Sequence, residues 1–192
     1  MIHVIGDSHG AIFEGFQKPY FNRYLFTYTA YNLIDKKDIN ELIKTKVKDT
    51  DQIIFVFGEI DCRIHIDYQW KNYDEGIEET ISRYDKFLTQ FTGYDFAVYN
   101  VVPAGNWLDG SLSYSGIYTP LESKIIIHRK FHSGLKELCL NKGYKMIDIW
   151  PYIIDSENRF AKPEYKCDEV HLNSRVEYYV SLELNKCFKD WK

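Results

Sequence analysis

Short apolar runs that end in polar, glycine-bearing turns alternate with segments of helical periodicity along this whole chain. That alternation limits the fold more than any other feature. Continuously apolar strands are buried on both faces, and a parallel sheet covered by helices on each side is the architecture that buries them. The runs lie at 2–5, 24–29, 51–57, 95–102 and 144–149. Between them the pattern predicts a short helix over 11–21, broken near Pro19, and a second through Glu41, Leu42 and Ile43 with Asp38 or Asn40 as its cap. Ile77, Ile81, Tyr84, Leu88 and Phe91 stripe a third, closed by Gly93. A fourth spans 121–140, and Val176, Val180, Leu184 and Cys187 mark a last one. With right-handed crossovers these elements give an α/β fold: a flavodoxin-like three-layer α/β/α sandwich on a five-stranded parallel sheet.

A chain of 192 residues with 45% hydrophobic content can bury one sizeable core, so one domain over 1–192 is expected. The net charge of −4 and the lack of a long Lys/Arg run argue against nucleic acid as a partner. No apolar run reaches the length that spans a membrane, and a first strand beginning at residue 2 leaves no room for a signal peptide. Cys62, Cys139, Cys167 and Cys187 are widely spaced, with no Cys-x-x-Cys pair. Reduced thiols and a cytoplasmic location are the expectation.

The first strand runs straight into Gly6-Asp7-Ser8-His9-Gly10. Ligands bind at the carboxyl ends of strands in such sheets, so this turn presents Asp7, Ser8 and His9 where chemistry occurs. Ser8 is a candidate nucleophile, which would need a base from elsewhere in the chain. The same spelling resembles the metal-holding turn of calcineurin-like phosphoesterases, with Asp7 and His9 as ligands. A third reading is that the two glycines merely turn the chain.

Near the other end stands Cys167-Asp168-Glu169-Val170-His171-Leu172, just before the last helix. An Asp three residues ahead of a His can hold one imidazole nitrogen while the other faces outward, the arrangement a serine nucleophile requires. Asp168, His171 and Ser8 would then be orienter, base and nucleophile. A solvated surface histidine is the alternative for this pair alone.

Gly6-Asp7-Ser8-His9 and Asp168-Glu169-Val170-His171 together make the chain resemble the SGNH (GDSL-like) hydrolases, with His where that family's name has Leu. The resemblance implies a Ser8–His171–Asp168 triad and an oxyanion hole that includes the Ser8 backbone N–H. The third block departs from it: Gly58-Glu59-Ile60-Asp61 carries Ile60 where Gly-x-Asn-Asp has its oxyanion-binding Asn. The second-block glycine is missing too, and a backbone N–H at Ala30 could serve instead. Loss of one oxyanion donor costs about 10²–10³ in rate. Arg63 is the candidate replacement, and bracing of the turn by pairing with Glu59 or Asp61 is its alternative. Gly58, Arg63, Ala30, Asp7, His9 and Glu59 are thus the residues expected on the oxyanion and substrate side. The metal reading lacks the further Gly-Asp, Gly-Asn-His and Gly-His-x-His blocks it needs.

An acyl-enzyme at Ser8 can pass its acyl group to water, or to a sugar hydroxyl or amine. SGNH relatives do both, often on acetylated carbohydrates, so the resemblance implies an esterase or acyltransferase acting on a small ester or sugar. No cofactor is expected, acetyl-CoA being the co-substrate in the transferase case. The long loop over 104–120, with Trp107 and Tyr114, would cover the substrate. A non-catalytic carbohydrate-binding domain is the competing class. Oligomeric state is not legible.

Overall fold

This computed structural model describes residues 1–16, 20–24 (as backbone), 28–105, 119–168 and 170–188. Trp107, Tyr114, Glu169 and most of the loop expected over the site lie outside the described residues.

Five parallel strands form one sheet: β1 (Ile2–Gly6), β2 (Tyr20–Tyr24), β3 (Gln52–Val56), β4 (Asp95–Tyr99) and β5 (Lys145–Ile147), in the order β2-β1-β3-β4-β5. The helices are α1 (Lys37–Lys46), α2 (Ile66–Gln69), α3 (Tyr73–Leu88), α4 (Leu121–Lys142), α5 (Trp150–Ile153) and α6 (Glu177–Cys187). Strand side chains alternate between two cores, as a period of two dictates. Ile5, Ile53, Phe55 and Val98 face α1, α3 and α4, whereas Val4, Ile54, Val56 and Ala97 face α6. The expected α/β/α sandwich is therefore what the chain forms. No helix among the described residues is long and apolar enough to cross a membrane.

Several boundaries differ from those predicted. The second strand is Tyr20–Tyr24, four residues earlier than 24–29, and pairs in register with β1 from Ile2↔Tyr20 to Gly6↔Tyr24. Asn22 and Arg23 interrupt the strand-favouring residues here and hide the start of the strand, which pairing with β1 decides. Leu25, Phe26 and Thr27 lie outside the described residues. The predicted helix over 11–21 is replaced by a short 3₁₀ turn, Ser8–Phe13, which starts at Ser8 and is capped by Asp7. Neither Asp38 nor Asn40 caps α1. The helix begins earlier, at Lys37, where Asp38 accepts from the Tyr28 hydroxyl and Asn40 donates to Gln90. Helix α3 ends at Leu88 and tightens into a 3₁₀ turn over Thr89–Phe91, ahead of Gly93.

Because every strand points the same way, the residues after β1, β3, β4 and β5 share one edge of the sheet. The chain goes from β1 to β2 on one side and returns to β3 on the other, which opens the crevice at the β1/β3 carboxyl ends. Gly6 makes this junction close: a Cβ there would lie 2.3 Å from the Val56 carbonyl oxygen. Gly58 turns the chain out of β3 at φ +118°, a conformation L side chains rarely adopt, and a Cβ would lie 2.8 Å from the Phe131 ring.

Candidate active site

Asp7 extends the sheet by one bond, its N–H donating to the Val56 carbonyl at 3.0 Å, and so fixes the start of the turn. Its Oδ1 accepts from the His9 backbone N–H at 2.9 Å and from His9 Nδ1 at 3.0 Å. Ser8 is left between them at the first position of the 3₁₀ turn, where a backbone N–H has no partner within the turn and can point at a ligand.

The second half of the site is a tight loop just before the last helix. Lys166 and Leu172 bridge its ends, and the Cys167 N–H donates to the His171 carbonyl at 3.0 Å. Asp168 Oδ1 accepts from the Val170 and His171 N–H groups, each at 2.6 Å, which leaves Oδ2 for the ring. His171 Nδ1–H donates to that Oδ2 at 2.8 Å, and its Nε2 accepts from the Ser8 hydroxyl, also at 2.8 Å. The carboxylate fixes the tautomer, and with it the direction of both bonds. Burial tends to raise the Asp168 pKa, but the His171 N–H, the His171 ring and the Val170 N–H outweigh it and hold the carboxyl below its usual range.

Beneath this line is a buried charged cluster. Glu59, on the turn after β3, accepts from Arg63 Nε at 2.8 and 3.1 Å. It also faces His9 Nδ1 at 3.9 Å and His128 Nε2 of α4 at 4.0 Å. Burial opposes its charge, yet Arg63, His9 and His128 together hold Glu59 far below the usual carboxylate range. For His9 the balance runs the same way: burial favours the neutral ring, but Glu59 and Asp7 raise its pKa to about 9. Both His9 nitrogens face acceptors, Nε2 lying 3.3 Å from the Val170 carbonyl.

The structure therefore brings Ser8, His171 and Asp168 together and gives the remaining predicted residues other tasks. Arg63 Nε braces Glu59, which is the alternative weighed for it. The Ala30 N–H, expected to serve the oxyanion, is instead taken by Asp61 Oδ2 at 2.7 Å. Asp61 is fully buried, and burial raises its pKa to about 7 against hydrogen bonds from Thr29, Ala30 and Tyr31. The stretch that stands in place of the second-block glycine and the retained Asp61 are thus bonded directly to each other. Asp7 and His9 point at one another instead of at a common ion, and among the described residues no group of three or more His, Cys, Asp or Glu is placed to hold a metal. His128 and Asn100, which underlie the site, escaped sequence reasoning. His128 sits beside Ile127 in the apolar stripe of α4, where a satisfied core histidine gives the same pattern.

No protein-family profile and no curated protein matches the sequence. Solved structures do match. A lipolytic protein of the G-D-S-L family from Veillonella parvula superposes with a TM-score of 0.63 at 16% identity, covering 98% of each chain. A GDSL-like lipase from Bacteroides thetaiotaomicron gives 0.63 at 13% identity, over 97% of this chain and 88% of its own. The chain has the fold of the GDSL-type hydrolases. A catalytic mutant of an acetylxylan esterase from Geobacillus stearothermophilus gives 0.62 at 9% identity, over 97% of this chain and 92% of its own. On this fold the segments that carry Ser8 and His171, one at each end of the sequence, meet at the carboxyl edge of the sheet.

Proposed function

We propose that the protein is a serine ester hydrolase acting on a small acetylated, carbohydrate-like ester. The observation that carries this reading is the unbroken line from Ser8 through His171 to Asp168, with 2.8 Å at both side-chain links. His171 Nε2 takes the Ser8 hydroxyl proton as Oγ attacks the ester carbonyl, and Asp168 stabilises the imidazolium that forms. The carbonyl oxygen becomes an oxyanion, and the Ser8 backbone N–H, at the first position of its 3₁₀ turn, is a donor for it. Collapse breaks the bond to the leaving alkoxide, which collects the proton from His171. The acyl-Ser8 intermediate is then cleaved by a water that His171 deprotonates, releasing the carboxylic acid and restoring the serine. The scheme calls on no metal or cofactor. The likeness to the acetylxylan esterase is what supports the acetyl-carbohydrate class.

Intact-protein mass spectrometry after brief exposure to a serine-directed phosphonate or p-nitrophenyl acetate tests the reading, with Ser8→Ala alongside. A single adduct that disappears in the variant is expected. A folded wild-type protein that takes up neither reagent would sink the covalent mechanism. Acetyl-CoA in a parallel reaction reports the fate of the acyl group, since Ser8-dependent labelling by it, with turnover to a sugar acceptor, would replace hydrolysis by transfer.

A further inference from the structure

His9 follows Ser8 in the chain, and Val170 precedes His171. The bond from His9 Nε2 to the Val170 carbonyl therefore runs beside the bond from Ser8 to His171, one residue away along each segment. The two rings are tilted by 33° with centroids 5.1 Å apart. The 166–172 loop is closed on itself by its own backbone bonds, so its placement against β1 depends on contacts that cross the crevice. His9 supplies one of these from a buried position.

We infer that His9 is a positioning residue, a strut that holds the 166–172 loop, and with it His171, in line with Ser8. The inference rests on Ser8 and His171 being the reacting pair. The strut is anchored at both ends only while both His9 nitrogens carry protons, because a ring that keeps one proton must give up either Asp7, which orients it, or Val170, which it holds. The charges around it decide when that happens. Asp7 faces the ring from its own turn, Glu59 and Arg63 from the turn after β3, and His171 from the loop. His128 of α4 stands behind Glu59, and Tyr99 of β4 lines the same hollow. The carboxylates prevail and raise the His9 pKa to about 9, so the strut is anchored at both ends at neutral pH and is released at one of them as pH rises through about 9. A 1 Å misplacement of a reacting group can cost about a hundredfold in rate.

The experiment compares wild type with His9→Phe, which keeps a planar ring and removes both donors. The rate of phosphonate labelling of Ser8 is followed from pH 6 to 10. In parallel, amide-exchange protection of residues 170–172 is measured in a Ser8→Ala background with and without His9→Phe. Labelling should slow roughly tenfold to a hundredfold in His9→Phe, the alkaline fall above about 9 should vanish with the ring, and loop protection should drop. Equal labelling rates with the same alkaline limb and unchanged protection would overturn the strut. Should wild type not be labelled at all, the Ser8 reading fails. The exchange arm then judges the strut alone, lost protection supporting it and equal protection refuting it. If His9→Phe does not fold, Asp7→Asn replaces it, keeping an acceptor for His9 while removing a negative charge. The alkaline limb, or the loss of loop protection where labelling is absent, should then move to lower pH, and an unmoved limb would refute the proposal.

Discussion

The loop that carries Asp168 and His171 and the cluster that lies beneath it hold charge in opposite ways. Asp168 has a side chain 52% exposed and is held by the N–H groups of Val170 and His171, two and three residues away. Glu59 has a side chain 8% exposed, and two of its neighbours, His9 and His128, come from β1's turn and from α4. In the loop, water screens the carboxylate and the neighbouring backbone fixes its geometry, so loss of its charge falls mainly on chemistry. In the cluster no water compensates a lost partner, so removal of a charge falls mainly on the fold.

That division orders the expected effects. The largest are on rate. Ser8→Ala removes the bond-forming oxygen, and Asp168→Asn leaves His171 with the wrong tautomer. Each should lower ester hydrolysis by about 10⁴-fold or more, with an unfolding midpoint close to that of wild type. Kinetics on p-nitrophenyl acetate together with urea unfolding would check both halves. An Asp168→Asn protein that retained activity but lost stability would reverse the comparison. Next comes Glu59→Ala, which strands Arg63, His9 and His128 without their common partner. Breaking a buried pair from one side costs about 3–5 kcal/mol, read as a lower urea midpoint at unchanged slope. A loss below about 1 kcal/mol would mean that the cluster is screened after all.

The same contrast explains what the sequence could reveal. Ser8 was legible because a strand, its glycine and the polar turn are contiguous. Asp168 and His171 were legible because three residues separate them. Each is a local statement that a short window contains. The partnership of Ala30 with Asp61 spans 31 residues and that of His128 with Glu59 spans 69, and nothing in either window names the other. Ala30 was accordingly expected at the oxyanion, whereas burial left Asp61 in need of donors and the Ala30 and Tyr31 N–H groups met that need. The second strand was misplaced for a related reason, because Asn22 and Arg23 interrupt the strand-favouring residues of this stretch and only the register with β1 brings 20–24 into the sheet. Where one element's sequence decides the outcome it can be read, and where two elements must meet it was read only for Ser8 and His171, whose pairing the family resemblance supplied.

Asp61 offers the smallest and sharpest test, because it belongs to the buried class yet carries no cation. Its proton is favoured in the folded chain, where burial raises the pKa from 3.8 to about 7, and is bound less tightly by the unfolded chain. The folded state therefore binds more protons than the unfolded state between those two values, and stability through this group must fall as pH rises across that window. Its contribution is full below about 4 and gone above about 7. Glu59 runs the other way, with a lowered pKa whose contribution is present at neutral pH and lost on acidification. Asp61→Asn keeps an oxygen for the Ala30 N–H and removes the titration. Unfolding midpoints of wild type and Asp61→Asn, measured from pH 5 to pH 8, should separate steadily, with wild type losing ground as pH rises. Parallel curves would mean that Asp61 is charged throughout, and the buried region would then tolerate an unpaired carboxylate as readily as the exposed loop does.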